Sequence, residues 1–248
     1  MRRDRAFRRG PELFLFERVF EDCRDRLGLL QQSFASALLI GCPDPAWPRR
    51  LCDFAREVAI LDPGRCFAEA AGGSCVVEDE LALAGERHDL CVAVGTLDTV
   101  NDLPQALARI RATLAPGAFL LGAIAGGDTL PQLRAAMRAA DQVQGYAVPH
   151  AHPRIESAML ASLLSGAGFA NPVVDVDRVQ VSYEDLARLV NDLRGMGATN
   201  ILKERSTRSM SRVARLAAFE AFAAAGQAGR TVETFEILHF AAWTPAQG

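Results

Sequence analysis

Residues 102–137, DLPQALARIRATLAPGAFLLGAIAGGDTLPQLRAAM, hold a helix, a buried strand and a second helix in one unbroken run. The first part, DLPQALARIRATL, has a helical pattern, with Asp102 placed to cap it and a Pro-Gly stop at 116–117. The segment AFLLGAIAG (118–126) is continuously apolar, as a parallel strand covered on both faces must be. Asp128 and Thr129 then open the helix TLPQLRAAMRAADQV.

The same rhythm extends in both directions. Upstream, ALLIG (37–41), EVAILD (57–62), SCVVE (74–78) and DLCVAVG (89–95) read as strands, with a helix within 46–55. Before them, Leu13, Phe16, Phe20, Cys23, Leu27 and Leu30 recur at the three- and four-residue spacing of an amphipathic helix. Downstream, a helix at 156–167 stops at Gly168, and VVDVDRVQVSY (173–183) alternates apolar and polar like a half-exposed strand. Helical stretches around 184–194 and 209–225 follow, and the chain closes on a strand, TVETFEILHFAAW (231–243). Strand–helix alternation predicts a doubly wound α/β fold with a mainly parallel, seven-stranded sheet and an antiparallel C-terminal edge strand. The expected organisation is a basic segment and amphipathic helix over 1–36, then one domain over 37–248 with a helical cover around 184–230.

Composition narrows the function. The net charge of −3 leaves no basic surplus for nucleic-acid binding. The six cysteines all lie in the first 91 residues and form no C-x-x-C pair, which speaks against structural zinc or a disulfide framework. No apolar run reaches the roughly 20 residues of a membrane span, and no secretory segment is visible, so the expected location is cytoplasmic. The basic run MRRDRAFRR is expected to be a solvated end, the alternative being a grip on an acidic partner. His150 and His152 have metal-like spacing but no third ligand nearby, so no metal is expected.

The run TLDTVNDLPQALARIRATLAPGAFLLGAIAGGDTLPQLRAAM (96–137) resembles the centre of class I S-adenosylmethionine-dependent methyltransferases. More narrowly, VNDLP (100–104), GGDTLPQLR (126–134), DLRGMGATN (192–200) and TFEILHFAAW (234–243) resemble the methyltransferase-like respiratory complex I assembly factors and their alphaproteobacterial relatives, and RRDRA (2–6) is similar to their N-terminus. The resemblance implies a Rossmann-like methyltransferase fold, S-adenosylmethionine as cofactor, and methyl transfer to a protein or small-molecule acceptor, with a respiratory-complex subunit among the partners. The alternative it implies is a non-methylating assembly or chaperone factor that has lost ordinary cofactor binding.

The resemblance also assigns positions. Gly41 is the surviving glycine of the family's D-x-G-x-G-x-G loop; Leu39 replaces the acid, and Pro43 and Pro45 replace later glycines. Proline brings a ring and no N–H, so this departure works against close backbone approach to a ligand. Asp62 matches the carboxylate that accepts both ribose hydroxyls, Asp79 the residue at the adenine amino group, and Thr96 the start of the loop over the substrate. Asp98 and Thr99 stand where many members carry His-Trp. Asp98, Asp128 and His150 are the candidate substrate residues, Asp128 equally a helix cap. No catalytic base is assigned, since methyl transfer rests mostly on proximity and orientation. Gly195, Met196 and Gly197 are read as part of a lid.

Overall fold

The computed structural model describes residues 2–77, 87–206 and 208–246. Its frame is one seven-stranded sheet in the order β3-β2-β1-β4-β5-β7-β6. The strands are β1 (Phe34–Ile40), β2 (Ala55–Asp62), β3 (Ser74–Cys75), β4 (His88–Ala93), β5 (Leu114–Ala125), β6 (Ala170–Tyr183) and β7 (Thr231–Trp243). The helices are α1 (Arg2–Arg9), α2 (Phe14–Leu30), α3 (Trp47–Leu51), α4 (Arg65–Ala71), α5 (Leu103–Ala112), α6 (Pro131–Gln144), α7 (Ser157–Gly166), α8 (Leu186–Gly195) and α9 (Arg212–Ala224).

Strands β1 to β5 run parallel. The C-terminal strand β7 is antiparallel to both β5 and β6 and lies one place in from the edge, with β6 outermost. Strands β1 and β5 are buried on both faces over 37–40 and 118–124, as apolar runs covered by helices on each side must be. In β1, Leu38 and Ile40 face a cluster with Leu107, Leu160 and Leu164 of α5 and α7. Leu39 faces the opposite cluster with Phe20, Leu27 and Trp47. A third cluster joins α6, α8 and α9 over Phe235 of β7. Strand β6 keeps one side open, in line with its alternating sequence.

Local signals explain most boundaries. Asp102 caps α5 by accepting from the Gln105 N–H at 2.9 Å. At α6, by contrast, Asp128 and Thr129 do not cap. The helix starts at Pro131, and the Gln132 and Leu133 N–H groups donate to the buried Glu233 carboxylate on β7 at 3.2 and 2.8 Å. The helix expected within 46–55 is reduced to α3, and the third strand to two residues. The basic run is not a solvated end: it forms α1, with Arg3, Asp4 and Ala6 buried. Among the described residues, no helix is long and apolar enough to cross a membrane.

Candidate functional site

Strands β1, β2 and β4 end on the same side of the sheet, because Ile40 is level with Leu61 on one neighbour and Ala93 on the other. The loops that follow therefore converge. Gly41 leaves β1 with φ +86, and an added Cβ would sit 2.0 Å from the Val94 carbonyl oxygen. Only glycine fits there, with or without a ligand. Beyond it, the Cys42 N–H donates to Asp62 Oδ2 at 2.8 Å, and the Gly64 N–H donates to Asp62 Oδ1 at 2.7 Å. Thr96 is buried against Gly41, and its hydroxyl has no hydrogen-bond partner among the described residues. A buried hydroxyl without a partner is uncommon and points to a group that completes it. Gly41, Asp62 and Thr96 thus share one cleft; Asp79 lies outside the described residues.

The cleft holds a residue that the sequence reading did not place there. Arg3 of α1 is 3% exposed and reaches the fully buried Asp62. Its Nε donates to Oδ1 at 2.8 Å and its Nη2 to Oδ2 at 2.5 Å, a bidentate pair. Its Nη1 donates to the Gly95 carbonyl at 2.9 Å, and the guanidinium lies 5.0 Å from the Phe67 ring centre. Asp62 therefore accepts from four protein donors. The signal for Arg3 was weak: its contact spans 59 residues, and an arginine-rich run carries no apolar period.

The loop after β1 is closed by protein. Leu39 is core, the Asp44 side chain accepts from the Ala46 N–H at 2.8 Å, and Trp47 stacks on Phe20 at 4.3 Å. Burial pushes the Cys42 thiol up to about 12, which removes it as a nucleophile at neutral pH.

The three candidate substrate residues separate. Asp98 borders the cleft: its Oδ1 accepts from the Ala125 N–H at 2.7 Å and from Arg154 at 3.2 Å. Asp128 is largely exposed and pairs with Arg178 at 3.1 Å on the outermost strand. His150 bonds to Asp141 at the end of α6, at 2.8 Å. Beside Asp98 opens an apolar pocket walled by Phe16, Leu130, Leu193, Met196 and Phe235, with His152 and Arg154 at its polar end. Phe16 and Phe235 supply the aromatic wall that Asp98-Thr99 cannot. Burial, with Arg154 nearby, holds His152 below the usual histidine range. Met196 and Gly197 border this pocket, and Gly197 also borders α1.

The cleft's own groups suit a nucleoside. A vicinal diol donates two O–H groups to one carboxylate in the fork pattern that Arg3 now uses, and the Thr96 hydroxyl offers a further polar contact. What the docked α1 removes is room.

No family model matches the chain. It is 30% identical over 242 residues to the mitochondrial arginine-hydroxylase NDUFAF5 of Danio rerio, covering 94% of this chain and 75% of that protein. The human protein of that name aligns at 40% identity over 124 residues, covering 50% of this chain and 36% of its own length. A malonyl-[acyl-carrier protein] O-methyltransferase of Xylella fastidiosa is 38% identical over 210 residues, covering 80% of this chain and 68% of its own length. Among solved structures, the YcgJ protein of Bacillus subtilis superposes with a TM-score of 0.60 at 10% identity, covering 90% of this chain and all of its own, which shows a shared fold.

Proposed function

This chain belongs to the methyltransferase-like family that includes the NDUFAF5 arginine-hydroxylases and the malonyl-[acyl-carrier protein] O-methyltransferases, and from that premise we propose that it binds S-adenosylmethionine at the ends of β1, β2 and β4 for methyl transfer. The observation that carries this reading is Asp62, a buried carboxylate steadied by the Cys42 and Gly64 N–H groups, with both oxygens aligned for a fork of two donors. The cofactor supplies an electrophilic methyl group. The chain supplies position: Asp62 for the ribose, Thr96 for a polar contact, and the pocket beside Phe16 and Phe235 for the acceptor. A protein acceptor, such as a respiratory-complex subunit, enters through the resemblance to assembly factors.

Calorimetric titration with S-adenosylhomocysteine tests the reading. Binding weakened at least tenfold by Asp62→Asn is the expected result, since a hydrogen bond to a charged group contributes about 1.5–3 kcal/mol and tenfold is about 1.4 kcal/mol. Silence at millimolar ligand, both for the native chain and for a chain freed of α1, would refute it. A second reading, a non-methylating assembly factor, is favoured by Leu39, Pro43 and Pro45 in the loop and by Arg3 on the ribose-accepting carboxylate. That silence is what it requires.

A further inference from the structure

We infer that the Asp62 cradle is a shared site, taken either by Arg3 or by the vicinal diol of a nucleoside donor, so that α1 docking and donor binding exclude each other. The inference rests on the cofactor reading above and adds what that reading lacks, a reason for a closed cleft.

Two ligands cannot use the same lone pairs. The Cys42 and Gly64 N–H groups hold one side of Asp62, and the Arg3 fork occupies the other. A carboxylate that is fully buried has no further open face for a diol. The cradle also fits Arg3 closely. A Cβ added at Gly64 would lie 2.7 Å from the Arg3 Cβ, so the bare glycine is what admits this side chain.

The rest of α1 is held as a unit. Asp4 accepts from the Cys66 N–H at 2.9 Å, Phe7 meets Phe67 edge-on at 5.1 Å, and the Arg2 Nε donates to the Gly197 carbonyl at 2.9 Å. Alone, this helix would not persist. It has 8 residues, RRDRAFRR, with arginines at i, i+3 and i, i+4 spacing and one acid among them. Its order depends on docking, so it engages and leaves in one step. Leaving requires a replacement at Asp62, because a buried carboxylate stripped of its partner is strongly disfavoured. A diol is such a replacement: it restores two donors while the two backbone N–H groups stay in place. The Gly195-Met196-Gly197 stretch, which touches both α1 and the pocket, would be freed by the same event.

The experiment uses the full chain, S-adenosylhomocysteine as probe, and two readouts: affinity by calorimetry, and trypsin cleavage at the exposed Arg5, Arg8 and Arg9. Arg3→Ala is expected to bind the probe at least tenfold more tightly than the native chain and to expose α1 to trypsin without ligand. In the native chain, saturating probe is expected to speed cleavage at those arginines. Arg3→Gln, which keeps much of the volume, serves should Arg3→Ala fail to fold, and the native-chain cleavage result stands without either variant. Equal affinities with α1 equally protected in every state would overturn the inference and leave the cofactor reading intact. No binding to any form, with the fold intact by circular dichroism and α1 cleaved in the variant, would overturn both.

Discussion

His239 sits within β7 with its Nδ1 2.9 Å from an Asp22 oxygen, yet burial outweighs that carboxylate and holds the imidazole below its ordinary range. Asp177 also faces it and favours the proton, while Arg26 opposes it. The sign follows from linkage. Above the unfolded value of about 6.5 the ring is neutral in both states; below it the unfolded chain takes up a proton that the folded chain refuses. The stability is therefore present above about pH 6.5 and is lost as pH falls through the folded pKa. His239→Asn should flatten this decline by at most about 1.4 kcal/mol per pH unit, the linkage of one proton, when unfolding is followed by urea titration from about pH 7 to pH 5. An unchanged slope would mean that His239 takes up its proton over the same pH range in the folded and unfolded chain. Single residues were also where the site was least legible. Gly41, Asp62 and Thr96 could be placed because each follows a readable strand. Arg3 could not, because arginines alternate with nothing and the carboxylate it meets lies 59 residues away.

Among the secondary elements, those that carry their own start signals are the ones the sequence predicts well. Helix α5 has Asp102 at its cap and Pro104 in its first turn, and it begins where those residues put it. Asp102→Ala should therefore cost about 1 kcal/mol, measured by thermal or urea unfolding, and the loss should appear as faster amide exchange in the first turn of α5. Loss of under a few tenths of a kcal/mol would show that water replaces the cap. Helix α6 is the counter-example. Asp128 and Thr129 look like a cap in sequence, but Asp128 pairs with Arg178 and Thr129 donates its hydroxyl to the Glu236 carbonyl at 2.9 Å. The anion at this helix start comes from Glu233, a hundred residues downstream. Burial pushes the Glu233 carboxyl up, and the three backbone N–H groups of Gln132, Leu133 and Thr234 oppose that shift. Strand order had the same limit: β6 and β7 were readable as strands, but that β7 slips between β5 and β6 depends on which faces match, and no local signal encodes it.

At the scale of the whole molecule, three apolar clusters among the described residues divide the labour. Two lie on the faces of the sheet and are built by β1, β4 and β5 with helices α2, α5 and α7. The third lies under α6, α8 and α9 and meets the sheet through Phe235. The site lies between the parallel strands and this cover, since the pocket takes Phe16 from α2, Leu193 from α8 and Phe235 from β7. A change confined to the cover should therefore loosen the pocket before it loosens the cleft. Phe222, 1% exposed on α9, is the largest fully buried side chain of the third cluster among the described residues. Truncating a buried phenylalanine costs about 3–5 kcal/mol when the cavity cannot collapse. Here the alanine-rich contact of α9 with α6 lets the helices close in part, so the lower end of that range is expected. Hydrogen exchange on Phe222→Ala should show protection lost first in α6, α8 and α9, with β1 and β4 keeping the rates of the native chain. If instead every element lost protection together, the cover and the sheet would be one cooperative unit. The pocket would then have no freedom to open without unfolding the frame that aims Asp62.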